Sequence, residues 1–481
     1  MFPFEHIISI DKKSNITLYN QIAFCIINAI QNGTLKAGTP LPGSRKLAKI
    51  LNVHRKTVIT AYEELNAQDW ITIIPKKQAC VSEHIPILQP QKWNSLKSSI
   101  SYDNNFNLPL KITNKHIDET KTENIPDIII DDGHPDVRLS PIDELLKTYR
   151  SYTSKRHTIK NAHLGTEQGT LKLREEMVQY LSETRGLNIS ADNILITHGA
   201  QMSIYLTSRL LLDSHTNIIV GKPGYPVANK AFEKTGSNLT EVTVDEHGID
   251  TDAIEVLCKK KKITAVYVIP HHHYPTTVTL SVDRRIKLLE LSKQYNFAII
   301  EDDYDYDYHY TSSPYLPLAS GNHEGNVIYI GSFSKILDPS LRIGFMVAPK
   351  NFIVQCTSLR KVIDVGGDGY MQNALASLIK GGELKRHLKK AKKTYQQRRD
   401  FLDNLLKEKL APYISYTLPT GGMAIWIKLN ANLSVEKLIS NPKLKVLRID
   451  KKQNAFRFGF ASMDEKELEQ TIDFLQSEFK K

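Results

Sequence analysis

The sequence predicts a multidomain chain of mixed class: an N-terminal winged helix-turn-helix, then a large α/β domain with a mainly parallel sheet, then a small C-terminal α+β subdomain. Three observations predict it. A basic front segment shows short helical runs followed by two strand-like runs, strand-like and helical runs alternate from Asp127 onward, and Glu383–Lys481 holds a long basic helix followed by two apolar strand runs. The expected boundaries are 1–82 for the first domain, 83–125 for a linker and 126–481 for the large domain, with its small subdomain from about 383. A length of 481 residues is too great for one core at roughly 150 residues per domain.

The front segment is built around helical stripes. Leu18–Gln31 places Ile22, Ile26 and Ala29 on one face and stops at Asn32-Gly33. Gly38, Pro40 and Pro42 punctuate the next loop, and Ser44 is expected to cap a helix through Leu51. A further helix is expected over His54–Ala67, with Val58, Tyr62 and Leu65 inward and Arg55 and Lys56 outward in its first turn. Trp70–Ile74 and Ala79–Val81 read as a hairpin around Pro75-Lys76-Lys77-Gln78. The first 82 residues carry ten Lys/Arg against five Asp/Glu, nearly half of the chain's net charge of +11. Cations at the start of a groove-sized helix and on a hairpin suit duplex DNA, where they meet base edges and phosphates. Residues 83–125, rich in Asn, Ser, Lys and Pro, read as a linker.

Strands of the large domain are expected at Ile194–Thr197, Asn217–Val220, Ala265–Ile269, Ala298–Glu301, Val327–Ile330 and Ile343–Ala348, and helices at Ser203–Leu212 and Val282–Tyr295 among others. In the last segment, Ala424–Leu429 and Ala455–Phe460 read as strands. No run approaches the ~18 apolar residues of a membrane span, and Met1–Asp11 has no export pattern. The four cysteines, Cys25, Cys80, Cys258 and Cys356, are scattered and form no C-x-x-C pair, so no membrane association and a cytoplasmic location are expected.

The chemistry-bearing segments follow the strands. Gly331-Ser332-Phe333-Ser334-Lys335 follows Val327–Ile330, with Arg342 seven residues past the lysine. A lysine between hydroxyls and a guanidinium suits a phosphorylated aldehyde cofactor: the amine takes the carbonyl, the others the phosphate. The isolated motif is as well explained by a surface lysine. Glu301-Asp302-Asp303-Tyr304 supplies a carboxylate for a pyridinium nitrogen and a tyrosine for a ring hydroxyl, although an acidic surface loop or a hard-metal site reads the same way. Thr197-His198-Gly199-Ala200-Gln201 opens a helix whose amides can face a phosphate, and Tyr225 in Pro223-Gly224-Tyr225-Pro226 can stack on a ring. Pro270-His271-His272-His273-Tyr274-Pro275-Thr276 is read as a cofactor-edge loop, since adjacent histidines on an extended chain point apart and do not converge easily on a metal. All these segments lie at the carboxyl ends of predicted strands, where open α/β sheets bind ligands.

With these motifs in this order, the chain resembles the MocR family of bacterial regulators, which join a GntR-type winged helix to a fold-type I aminotransferase-like domain. The resemblance covers Leu18–Ile22, Gly38–Arg45 and Thr57–Leu65, then Gly133–Asp136, Gly199–Gln201, Pro223–Pro226, Pro275-Thr276, Glu301–Tyr304, Ser332–Lys335 and Ser340–Gly344. It implies pyridoxal 5'-phosphate held as an internal aldimine on Lys335, the candidate catalytic residue. It further implies Asp302 at the pyridine nitrogen, Tyr304 at the ring hydroxyl and Tyr225 stacked on the ring. Ser332, Ser334, Arg342 and the amides of Ala200 and Gln201 would hold the phosphate, and Arg457 an amino acid's carboxylate. Ser44, Arg45, Arg55, Lys56, Thr57, Lys76 and Lys77 are the expected contacts to double-stranded DNA. The implied function is a transcription regulator that senses an amine, an amino acid or vitamin B6 through aldimine formation at Lys335. The implied assembly is a head-to-tail, domain-swapped homodimer. A pyridoxal-phosphate-dependent aminotransferase with an accessory DNA-binding domain is the alternative. The chain departs from the family pattern at Leu164, where a tyrosine is usual (His163 stands beside it), at Thr277 in place of a glycine, at Gln78 in the wing, and at Val227, near which members sensing γ-aminobutyrate carry an arginine.

Overall fold

The computed structural model describes residues 3–14, 16–74, 78–85, 126–154, 167–310 and 315–480. The chain divides into two compact units, Met1–Thr120 and Lys121–Lys481.

The first unit contains α1 (Phe4–Ile7), α2 (Leu18–Gln31), α3 (Ser44–Leu51), α4 (Arg55–Ala67), β1 (Ile71–Ile73) and β2 (Ala79–Val81). The short α1 is additional to the sequence reading. The predicted stripe of α2 is buried, and it packs with Leu47 of α3 and with Val58, Tyr62 and Leu65 of α4 into one core. Each such aliphatic side chain contributes roughly 1.5–3 kcal/mol by leaving water. Asn52 ends α3 in the left-handed conformation (φ +50°), and His54 caps α4 by accepting from the Lys56 amide. Ser44 does not cap α3. Gly43 holds the N-cap position and Ser44 is the first helical residue, which leaves its hydroxyl available to other partners. The Tyr62 hydroxyl donates to Pro42 O at 2.7 Å and fixes the loop before α3. β1 and β2 pair antiparallel, Ile71 opposite Val81, as the two strands of the wing.

The second unit has an eight-stranded sheet in the order β4-β11-β10-β9-β8-β5-β6-β7. Its strands are β4 (Ile194–Thr197), β5 (Asn217–Lys222), β6 (Asn238–Asp245), β7 (Gly248–Ile249), β8 (Ala265–Val268), β9 (Ala298–Asp303), β10 (Val327–Ser332) and β11 (Gly344–Val347). β6, β5, β8, β9 and β10 run parallel, while β11 lies antiparallel between β10 and β4. β4, β8 and β10 are buried along their whole length, which is why they read as largely apolar runs.

The small subdomain is a four-stranded sheet of β12 (Ile414–Tyr416), β13 (Ala424–Leu429), β15 (Ile449–Asp450) and β16 (Ala455–Gly459), packed with the helices Glu383–Leu405 and Glu465–Phe479. It is not confined to the last segment of the chain. β3 (Ile128–Ile130) pairs in parallel with β14 (Leu444–Val446), and Ile130 is buried in the subdomain's core. Among the described residues no helix is long and apolar enough to cross a membrane.

Candidate functional site

In the second unit, a cavity of about 350 Å³ opens at the carboxyl ends of the parallel strands. Asp302 from β9, Ser332, Ser334 and Lys335 from the end of β10, Tyr225 from the turn after β5, Ala200 and Gln201 from the helix after β4, and Tyr304 and Arg342 from their loops all line it.

Strand alternation separates the carboxylates of β9. Asp302 faces the cavity. Glu301 accepts the amides of Leu318 and Ala319 at 2.7 and 2.9 Å, and Asp303 meets Tyr329 and His271. The Asp302 Oδ2 accepts the Tyr267 hydroxyl at 2.7 Å, whereas its Oδ1 is buried with no partner. Burial raises this carboxyl to about 7; the Tyr267 hydroxyl opposes the rise and the charges of Asp303 and Asp305 add to it. A buried acceptor lacking a donor is expensive, so Oδ1 is suited to a donor brought in from outside the chain.

Lys335 donates from Nζ to the Gly133 carbonyl at 2.7 Å. Burial lowers its pKa; the charge of Asp132 opposes that and the charge of Arg457 adds to it. A lowered amine is a better nucleophile toward a carbonyl at neutral pH. Opposite the amine lies an anion cradle. Gly199, at φ +80°, caps the helix Ala200–Leu211 without a side chain, so the first helical amides lack an intrahelical acceptor. A Cβ on Gly199 would stand 2.5 Å from Arg342 Nη2, so only glycine lets that guanidinium reach the helix start, where it donates to His198 O at 3.1 Å. Ser334 Oγ and Gln201 Oε1 are buried beside the cradle without partners. An amine, a carboxylate oxygen without a donor, and a helix start beside a guanidinium therefore line one cavity.

Tyr304 spends its hydroxyl on His272 O at 2.8 Å and accepts from Arg457 Nη2 at 3.0 Å. Arg457, on β16, is buried and also donates to Asp132 O and Pro275 O at 2.7 and 2.9 Å. The Tyr225 ring meets Tyr274 edge-on, with centroids 5.3 Å apart.

The loop of residues 270–276 reaches the cavity's edge through Tyr274, but not through its histidines. None of the three rings lines the cavity: His271 Nδ1 sits 3.1 Å from Asp303, His272 Nδ1 2.9 Å from Asp305, and His273 Nε2 2.9 Å from Pro223 O. His271 and His272 brace the acidic segment and His273 the turn before Tyr225, and His272 lies in the left-handed region (φ +46°), which breaks the extended course. Among the described residues no three or more His, Cys, Asp or Glu side chains gather as a metal site. Thr277 adopts φ +63°, the conformation for which a glycine is the usual choice. Val227 is exposed on the helix after Tyr225. Leu164, Gly165 and His163 lie outside the described residues.

Sequence reasoning missed Tyr267, Asp132 and Tyr274. Tyr267 pairs with Ile300 across β8 and β9, the same face as Asp302, so a tyrosine in an apolar strand was the available signal. Asp132 accepts the Tyr274 hydroxyl at 2.9 Å, and both line the cavity.

In the first unit, Arg45, Arg55 and Lys56 are exposed and Thr57 is half-buried. Arg55 Nε donates to Ser44 Oγ at 3.3 Å, which ties the starts of α3 and α4 together on one surface. Lys76 and Lys77 lie outside the described residues.

Comparison with known proteins matches both units. Residues 18–81 match the bacterial regulatory proteins of the gntR family, and residues 138–475 match aminotransferase class I and II. The chain is 28% identical over 474 residues to the uncharacterized HTH-type transcriptional regulator YdfD of Bacillus subtilis, covering 96% of each chain. It is 24% identical to the probable rhizopine catabolism regulatory protein MocR of Rhizobium meliloti, over 98% of this chain and 95% of that one. The fold is similar to the solved kynurenine aminotransferase of Pyrococcus horikoshii, with a TM-score of 0.68 and 28% identity over 75% of this chain and 92% of the other. With a gntR-family unit and an aminotransferase unit in one polypeptide, in the arrangement of such regulators, the chain belongs to the class I and II aminotransferases and, within them, to the MocR family of regulators.

Proposed function

We propose that this chain is a DNA-binding transcription regulator of the cytoplasm whose large unit holds pyridoxal 5'-phosphate and senses a primary amine, an amino acid or vitamin B6 itself. One observation carries the reading of the cavity: the buried Asp302 Oδ1 has no donor within the chain, in a cavity that Lys335 also lines. Bound there, the cofactor would supply an aldehyde that condenses with primary amines and a pyridine ring that draws electrons.

The chain's residues then have separable tasks. Lys335 presents a nucleophilic amine to the aldehyde, and Asp302 accepts the ring N–H and holds that proton in place. Tyr304, whose hydroxyl donates to His272 O and accepts from Arg457, would have to give up His272 O to donate to the ring hydroxyl, and Tyr225 would cover a ring face. Ser332, Ser334, Arg342 and the first amides at Ala200 and Gln201 receive the phosphate. Arg457 receives the carboxylate of an amino-acid effector. In the first unit, Ser44, Arg45, Arg55, Lys56 and Thr57, with the wing lysines Lys76 and Lys77, contact double-stranded DNA. The family resemblance supports a head-to-tail, domain-swapped homodimer.

The effector acts as a bias between DNA-binding states, which requires that it bind them unequally. DNA footprinting with and without candidate amines tests this: the protected region or its affinity changes with effector. Identical footprints under every amine would defeat the sensor. The similarity to aminotransferases and the presence of Lys335 and Asp302 in one cavity, with Arg457 bonded to the hydroxyl of Tyr304 on its wall, also support a working aminotransferase. Stoichiometric oxo-acid release from an amino acid would favour that second reading.

A further inference from the structure

We propose that Arg448 selects the effector, and that the effector is an amino acid with a second carboxylate at its far end. This rests on the reading of the cavity as an amino-acid sensor. Arg448 follows Leu447, which lines the cavity, in the turn between β14 and β15. Its guanidinium carbon lies 5.4 Å from the Tyr274 ring centroid, and that of Arg457 lies 5.1 Å from the same centroid. Two guanidinium groups thus attend one aromatic ring of the cavity wall.

Their states differ. Arg457 is held by Asp132 O, Pro275 O and the Tyr304 hydroxyl. Arg448 has one long hydrogen bond, 3.4 Å to Gly224 O, and its Nε is shielded from solvent without a partner. No carboxylate of the described residues pairs with it. Asp132, the acid of this wall, is engaged: Oδ2 accepts the Tyr274 hydroxyl at 2.9 Å, and Oδ1 lies 3.4 Å from His134 Nδ1. A half-buried guanidinium without a counter-ion is costly, and its planar fork matches a carboxylate in two parallel hydrogen bonds. The backbone fixes the pair, because the Arg457 amide donates to Arg448 O at 3.0 Å. A monocarboxylic amino acid engages Arg457 and leaves Arg448 as it is. A simple amine engages neither. A dicarboxylic amino acid satisfies both cations at once, since both guanidinium carbons lie within 5.4 Å of the Tyr274 ring centroid.

Calorimetry and the visible spectrum of the full-length, cofactor-loaded protein test this, with L-glutamate and L-2-aminoadipate titrated against L-glutamine and L-norleucine. The acidic pair should bind at least about tenfold more tightly, as expected of a charge-assisted pair. Arg448→Gln should bring the two classes to equal affinity, and Arg448→Lys should restore part of the preference, which a variant that failed to fold could not do. Equal affinities in the unmodified protein, or a preference that survives Arg448→Gln, would overturn the assignment while leaving the sensor reading intact. If no amino acid binds or alters the spectrum, the reading of the cavity as an amino-acid sensor falls and the assignment with it.

Discussion

The two units hold their candidate functional groups in opposite physical states. In Met1–Thr120 the cations Arg45, Arg55 and Lys56 stand in solvent on a surface whose core lies elsewhere. In Lys121–Lys481 the corresponding groups are withdrawn from water. Asp302 is 3% exposed with an oxygen unpartnered, and burial lowers the Lys335 amine. An exposed cation acts through long-range, screened attraction, and its neighbours can share its task. A buried group acts through a single contact, and its surroundings have already altered its protonation. Substitutions should therefore be graded in the first unit and all-or-none in the second.

The largest expected effect is at Lys335. Lys335→Ala should abolish the visible absorbance band after incubation with excess pyridoxal 5'-phosphate and dialysis, with an unchanged far-ultraviolet circular dichroism spectrum. A band of full intensity in that variant would erase the contrast between the units.

Asp302 comes next. Asp302→Asn should weaken cofactor retention by roughly 10–100-fold, the worth of a charged hydrogen bond, measured by equilibrium dialysis. The same variant has a pH signature without cofactor. The Asp302 carboxyl is raised from 3.8 to about 7, so the folded state holds this proton more tightly than the unfolded chain does. The group's contribution to stability is thus fully present below its unfolded value and is lost as pH climbs through the folded one, a change on the order of a few kcal/mol. Asp302→Asn should flatten this part of the apoprotein's melting profile between about pH 4 and 7. Glu301, raised to about 8 by burial and the neighbouring Asp303 charge, keeps its own share of the slope in both proteins.

The smallest effects belong to the first unit. Arg55→Ala and Lys56→Ala should each weaken DNA binding by roughly tenfold at low salt, and a residue contacting phosphate should lower the salt slope of log K by about 1. Neither should change the absorbance band. Complete loss of binding from either single change, with the fold intact, would place this surface among the all-or-none sites.

Local patterns carried much of this in the sequence. The spacing of Ile22, Ile26 and Ala29 defines α2, and the predicted bounds Leu18–Gln31 are those observed. The strand core at Ile194–Thr197 and the motif around Lys335 were equally readable, since a strand end and its following residues form one continuous local unit. What escaped depends on partners distant in sequence. β3 is three isoleucines whose partner strand begins at Leu444. β6 is polar along much of its length, with only Val242 and Val244 fully inward. The loop of residues 270–276 does reach the cavity through Tyr274, but the sequence did not show that His272 bends the backbone and that each histidine ring has its own anchor. Arg448 carries no local signature at all. Its meaning arises only when the turn after β14 is brought against Tyr274.

The short pairing of β3 with β14 binds the start of the second unit to the small subdomain. Chain arriving from the first unit enters through Ile128–Ile130, and the Leu447 amide, on the cavity wall, donates to the Ile130 carbonyl at 3.0 Å. Two residues farther on lies Asp132, and then Gly133, whose carbonyl holds the Lys335 amine. One strip of backbone, from Ile128 to Gly133, thus carries both the pairing with β14 and the carbonyl that holds Lys335.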